Sequence, residues 1–325
     1  MIRKLAHGFA AIGAAITILV IELIARLPLA WARPLANAIG SLMRLLLRQR
    51  RRIAAANLQR CFSNWPPARR EAVLKQHFRS LGMMLVETAW AWSGRSSQKL
   101  PPHRFSGLQQ LLQLQAEGRG VLLVTGHFTC MDIGGRFLCE AAAIKAVYRP
   151  LRNPALERYQ TRGRLRHARG MISKYDSGAV LRALRQGETI WYAPDQDFGP
   201  RRSLFVPFFD QPTATLKATW TLARRSQAVV LTMFPRRLDD GSYLIEIGNP
   251  LECTADAGMF LTELNRRIEA AVRHAPEQYW WVHRRFKSQP PSASAQSRRR
   301  SAADDPAAAS STSSASAATS SPGER

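Results

Sequence analysis

VLLVTGHFTCMDIGG, residues 121–135, is the stretch on which the reading of this chain turns. It opens with four apolar residues that show no alternation, the pattern of a short strand buried on both faces. Gly126 breaks the run, His127 follows, Asp132 comes five positions later, and Gly134 and Gly135 close it. In a continuous helix, five positions amount to about 140° of rotation, which keeps the two polar side chains apart. They can meet if His127 occupies a strand-to-helix turn, which Gly126 permits, and if Asp132 lies in the first turn of the helix, where the dipole favours an acid. The carboxyl ends of parallel strands are also where open α/β sheets bind ligands. A carboxylate on one imidazole nitrogen fixes the tautomer and frees the other nitrogen to act as a base. The spacing alone describes a packed structural histidine equally well, so both readings stand at this point.

The surrounding pattern is that of an α/β fold. Strand-like runs occur at 121–125, 143–149, 189–193, 204–209, 228–234 and 243–247, with helical patterns at 154–170, 177–186, 213–225 and 258–274. This alternation predicts a mixed, largely parallel sheet flanked by helices. Residues 53–93 read as helical, with Pro66 and Pro67 at an accepted first turn and Val73, Leu74, Phe78, Leu81, Leu85 and Trp92 near helical spacing.

Ahead of this domain, residues 8–21 carry no charge, and Glu22 and Arg26 interrupt an apolar run that reaches Trp31. A spanning helix needs about 20 mostly apolar residues, so 1–33 is expected to be an N-terminal membrane-anchor helix, spanning or half-embedded. Arg44, Arg48, Arg50, Arg51 and Arg52 follow it. Such clusters stay on the cytoplasmic side and attract anionic headgroups, which puts the 34–290 domain against the inner face of a membrane. Residues 291–325, rich in Ser and Ala, are expected to be a disordered tail. The formal net charge is +24. The tail contributes little of it, so the folded part is strongly basic and suited to anionic partners. The four cysteines, at 61, 130, 139 and 253, have no C-x-x-C or zinc-ligand spacing.

Three further stretches carry candidate chemistry. In YRPLRNPALERYQTRGRLRHARG, residues 148–170, Arg158, Arg162, Arg166 and Arg169 form one helical stripe, while Arg164 points elsewhere and needs an anionic partner. Arg149 ends a strand and can reach the same crevice. In WYAPDQDFGPRRSLFVPFF, residues 191–209, a strand ends just before Asp195 and Asp197; Asp195 is the natural partner for Arg164, and both acids also fit a plain turn. PEQYWWVHRRFK, residues 276–287, mixes aromatics with His283, Arg284, Arg285 and Lys287, suited to holding phosphates or to a headgroup interface. There is no Gly-x-Ser-x-Gly elbow, and Cys130, which lies between His127 and Asp132, has no second histidine nearby in sequence. A metal on His127 and Asp132 would have a poor ligand set. What remains is direct transfer, with a base removing a proton from an acceptor hydroxyl.

Taken together, RRRIAAANLQRCF, GRGVLLVTGHFTCMD, YRPLRNPALERYQTRGRLR, IWYAPDQDFGPRRSLFVPFF and APEQYWWVHRRFK resemble the late acyltransferases of lipid A biosynthesis, the lauroyl/myristoyl type within the lysophospholipid acyltransferase superfamily. The resemblance covers roughly residues 1–290. The His-x4-Asp/Glu motif belongs to the whole superfamily; WYAPDQD and APEQYWWVHRRFK are more specific. The resemblance implies a glycerolipid acyltransferase-like fold and an inner-membrane protein with its active site facing the cytoplasm. It implies transfer of a fatty acyl chain from acyl carrier protein to a hydroxyl of a phosphorylated lipid A precursor, with inner-membrane phospholipid as the surface and neither cofactor nor metal. His127 would be the general base supported by Asp132, with Arg164 and Asp195 also required. Arg149, Arg284 and Arg285 are the expected substrate contacts. Many relatives carry Glu at the position of Asp132.

Two rivals remain. The same chemistry on another membrane lipid, such as an ornithine lipid or a glycolipid, would differ only in acceptor recognition. A non-enzymatic, basic membrane- or nucleic-acid-binding protein would not require His, Asp, Arg and Asp at strand ends; no nucleic-acid partner is expected.

Overall fold

The computed structural model describes residues 2–93 and 100–290. The expected tail at 291–325 lies outside the described residues. Four helices come first: α1 (Ile2–Ala25), α2 (Leu29–Leu46), α3 (Arg48–Cys61) and α4 (Pro67–Trp92). Then follow β1 (His103–Ser106), α5 (Leu108–Ala116), β2 (Val121–Val124), α6 (Met131–Ala141), β3 (Ile144–Tyr148), α7 (Pro154–Arg164), β4 (Gly170–Ser173), α8 (Ser177–Arg185) and β5 (Thr189–Tyr192). The 3-10 turn η1 (Pro200–Arg202) leads into β6 (Ser203–Phe208) and β7 (Gln211–Leu216). The described residues close with α9 (Ala218–Ser226), β8 (Val229–Arg237), β9 (Tyr243–Ile247), α10 (Ala257–His274) and η2 (Pro276–Gln278).

Seven strands form one sheet in the order β1-β9-β8-β2-β5-β3-β4. Every pairing in it is parallel except β8 with β9. The four residues of β2 are fully buried at its centre, as their unbroken apolar run requires. The connections β2–α6–β3 and β3–α7–β4 advance one way along the sheet, and β4–α8–β5 returns. Since crossovers between parallel strands are right-handed, α6 and α7 cover one face and α8 the other. The packing follows: α4 lies against α6 and α7, while α8 packs on α9.

Three expectations change. Residues 213–216 are strand, not the start of a helix: β6 and β7 form a separate antiparallel hairpin, and α9 begins only at Ala218. The two-residue connection, Phe209 and Asp210, has positive φ at both positions (49° and 59°), a type I′ geometry that Asn-Gly usually announces. Second, α7 stops at Arg164, so Arg166 and Arg169 leave the proposed stripe; Arg166 donates to the Trp92 carbonyl at 2.8 Å. Third, the N-terminal segment is helical, but among the described residues no helix is long and apolar enough to cross a membrane. Glu22 accepts from the Tyr159 hydroxyl at 2.6 Å and from Ser93 Oγ at 2.9 Å. These bonds fasten α1 to α7 and to the end of α4.

Candidate active site

His127 lies three residues beyond the end of β2, and Asp195 three residues beyond the end of β5. These strands are parallel neighbours, with Val124 opposite Tyr192. Equal offsets from a shared register bring the two side chains to the same level. The Asp195 Oδ1 atom accepts from His127 Nδ1, and its Oδ2 accepts from the His127 backbone N–H at 2.8 Å. Gly126 makes room for this: a Cβ there would press on the Phe128 ring at 3.2 Å and on Asp195 Oδ2 at 3.3 Å.

Asp195 is buried. Burial by itself would raise its pKa, but the imidazole charge and the ring and backbone N–H bonds of His127 outweigh that and hold it at about 2. An ionised carboxylate only accepts, so Nδ1 carries the hydrogen. The lone pair of Nε2 is then free, and His127 lines the cavity described below.

Asp132 stands in the first turn of α6, as expected, but it does not bond to His127. Its Oδ1 accepts from Arg164 Nη2 at 2.7 Å, from Arg164 Nε at 3.2 Å and from the Trp92 indole N–H at 3.2 Å. The Arg164 guanidinium also lies over the Trp92 ring, 5.3 Å from its centroid. The expected partners are therefore exchanged: Asp195 holds the histidine, and Asp132 holds the arginine. Strand register dictates the first pair, and the packing of α6 and α7 against α4 dictates the second.

The aromatic-basic segment near the C-terminus buttresses the histidine turn. Trp280 N–H donates to the His127 carbonyl at 2.9 Å, and Thr129 N–H donates to the Gln278 carbonyl at 2.7 Å. Tyr279 and Trp281 are core residues. Asp197 N–H donates to His283 Nε2 at 3.1 Å, and the Asp197 carboxylate accepts from Ser288 N–H at 2.7 Å and Gly199 N–H at 2.8 Å. Burial lowers the His283 pKa, in keeping with its acceptor role.

Arg285, an expected substrate contact, lies away from the cavity wall. It is 2 % exposed, donates to the Ala214 carbonyl at 2.6 Å and lies over the Phe208 ring. Arg284 is exposed and does not border the cavity, whereas Arg149 does.

Two groups escaped the sequence reading. Trp92 counted only as an apolar helix residue, and its indole N–H gave no signal. Glu87 on α4 is fully buried; it accepts from Arg237 Nε at 2.6 Å and Nη2 at 2.8 Å and also from the Tyr243 hydroxyl. Arg237 reaches Ser80 at 3.1 Å, and Ser80 pairs with Thr129 at 2.7 Å. A buried polar chain thus ties α4 to the turn bearing His127. A lone acid within the apolar MMLVETAWAW was its only trace.

The β3–β5 pairing ends at Ala146–Trp191, although β3 runs on to Tyr148 beside β4 and β5 to Tyr192 beside β2. A cavity of about 1290 Å³ opens at these strand ends, bordered by His127, Asp132 and Arg164. Its apolar wall includes Trp191, Met171, Leu181, Leu204 and Leu222. Gly135 lets α6 lie directly on Trp191, where a Cβ would come within 2.4 Å of the ring. Asp132 is the only carboxylate on the wall among the described residues; cations border it on several sides.

The family described as "Bacterial lipid A biosynthesis acyltransferase" matches residues 4–288. The chain belongs to that family. Among relatives of this acyltransferase, the lipid A biosynthesis palmitoleoyltransferase of Escherichia coli (strain K12) is 38% identical over 258 residues, which are 78% of this chain and 84% of the relative. The lipid A biosynthesis lauroyltransferase of the same strain is 37% identical over 276 residues, 83% and 90% of the two chains. Its lipid A biosynthesis myristoyltransferase is 27% identical over 274 residues, 82% and 84%. The relatives are named for three different acyl groups, so likeness to them sets no chain length for this lipid A acyltransferase.

Proposed function

We propose that this acyltransferase moves a fatty acyl chain from the thioester of acyl carrier protein to a hydroxyl of a phosphorylated lipid A precursor, with His127 as the general base. The observation that carries the reading is the His127–Asp195 pair at the cavity wall, with Nδ1 engaged and Nε2 free. Nε2 takes the hydroxyl proton as the oxygen attacks the thioester carbonyl. The tetrahedral intermediate collapses, the C–S bond breaks, and the imidazolium returns the proton to the departing thiolate. The products are an acyloxyacyl ester and the free carrier thiol. Arg164, held by Asp132 and Trp92, is a fixed cation beside the reacting groups, suited to an oxyanion or a phosphate. A cavity with many cations and an apolar wall suits an anionic, acyl-bearing substrate.

The proposal extends to location, at the cytoplasmic face of the inner membrane. Ile12, Ile16, Leu19 and Leu23 on α1 and Trp31, Leu42, Leu45 and Leu46 on α2 are exposed. Arg48, Arg51 and Arg52 of α3 follow directly in sequence. Apolar faces next to cations suit an anionic lipid surface.

The test is mass spectrometry of products from purified protein, acyl carrier donor and a tetra-acylated precursor. Transfer by the wild type that is lost in His127→Ala is expected. Transfer only to another lipid would overturn the acceptor, and near-wild-type turnover in His127→Ala would overturn the base.

A further inference from the structure

The cations around the cavity fall into two groups on opposite sides of the sheet. Apart from Arg149 just past β3, one group is Arg136 and Arg164, which lie with α4, α6 and α7, the layer on which α1 packs and to which Glu22 fastens it. The second group comprises Lys174 before α8, Arg201 and Arg202 in η1, Lys217 before α9, and Arg225 near the end of α9. All five are exposed, and none forms an ion pair among the described residues. Four short segments present them together. Lys217 N–H donates to the Arg202 carbonyl at 3.0 Å, and Arg185 of α8 donates to the Arg225 carbonyl at 3.0 Å. Exposed Tyr175 borders them. The nearby Asp176 carboxylate is taken up in capping α8, where it accepts from Ala179 N–H at 2.8 Å.

Unpaired cations converging on one rim of a cavity repel one another, a cost that an anionic partner relieves. The exposed apolar side chains of α1 and α2 lie with the other layer. A lipid arriving along α1 reaches His127 from the α4–α7 side, which leaves the α8–α9 side open to a water-soluble anion.

We infer that Lys174, Arg201, Arg202, Lys217 and Arg225 form the docking surface for the acidic carrier protein, whose thioester arm enters the cavity from the α8–α9 side while the lipid acceptor enters from the α1 side. This rests on the reading that the donor is an acyl carrier protein. Complementary charge at such a rim acts mainly on encounter rate and salt dependence.

The test compares Arg201→Glu/Arg202→Glu with a control of equal charge change, Arg104→Glu/Arg119→Glu, placed on β1 and before β2, away from the cavity. Each is assayed with the acyl carrier protein and with a minimal acyl-pantetheine thioester. The η1 variant should raise KM for the carrier about tenfold or more at low salt, flatten the salt dependence, and leave turnover of acyl-pantetheine within about twofold. The control should match wild type with both donors. An unchanged carrier KM in the η1 variant, or equal losses with both donors, would overturn the docking assignment. A raised KM for the lipid acceptor at unchanged carrier KM would place a lipid phosphate on this rim and overturn it too. A wild type that uses acyl-pantetheine but not the carrier would refute the donor reading itself.

Discussion

Asp195→Asn separates the two acids most sharply. In the wild type, the carboxylate accepts from both Nδ1 and the backbone N–H of His127. An asparagine that keeps its carbonyl on the backbone N–H turns its NH2 towards the ring. Nδ1 must then accept, and the ring hydrogen moves to Nε2. Nε2 loses its lone pair while the fold is retained. Such tautomer reversal in a histidine–aspartate pair is worth about 10⁴ in kcat. The stability effect follows from the depression of the Asp195 pKa from 3.8 to about 2. At about 1.4 kcal/mol per tenfold change in proton affinity, the ionised Asp195 carboxylate contributes about 2 kcal/mol at neutral pH. Because the folded value is the lower one, this stability is present above pH 3.8 and is lost as pH falls through about 2. The assays are turnover, urea unfolding at several pH values, and ¹⁵N chemical shifts of the His127 ring. The variant should show the Nε2–H tautomer, a loss of about 2 kcal/mol at neutral pH, and a flatter acid limb. Asp132→Asn should leave the Nδ1–H tautomer intact and lower kcat by about 10–100-fold through Arg164. If the ring tautomer is unchanged in Asp195→Asn, or if Asp132→Asn is the variant that reverses it, the partner assignment is refuted.

Trp92→Phe keeps an aromatic face for Arg164 but removes the indole donor to Asp132; steady-state kinetics should show kcat down by about tenfold, as for one hydrogen bond to a charged group. Glu22→Ala removes the acceptor for Tyr159 and Ser93 and should weaken docking of α1 by about 1–2 kcal/mol, seen as about tenfold faster proteolytic cleavage within α1. His77 is buried, and burial lowers its pKa from 6.5 to about 4. The unfolded chain therefore takes up this proton first, so stability falls as pH drops from 6.5 towards 4. His77→Leu should remove up to about 1.4 kcal/mol per pH unit from that slope in denaturation curves.

The sequence determines by itself everything that depends on neighbours along the chain. The unbroken apolar run at 121–124 makes a strand buried on both faces. Gly126 leaves room for the Phe128 ring and the Asp195 carboxylate where His127 leaves the sheet beside the cavity. The four candidate positions that pair beside the cavity, His127, Asp132, Arg164 and Asp195, are legible for the same reason. Each sits where a strand or helix begins or ends, and each is a polar residue with nothing local to satisfy it. Pairing was not legible. Which carboxylate holds the histidine depends on β5 being inserted between β2 and β3 with Val124 opposite Tyr192. No spacing within the motif encodes that neighbour. Arg285 and Glu22 show the same division: each reads as a surface or interface charge in sequence, yet packing gives each a polar partner inside the fold. Local chemistry specifies which groups are available, and the long-range strand order decides which of them touch.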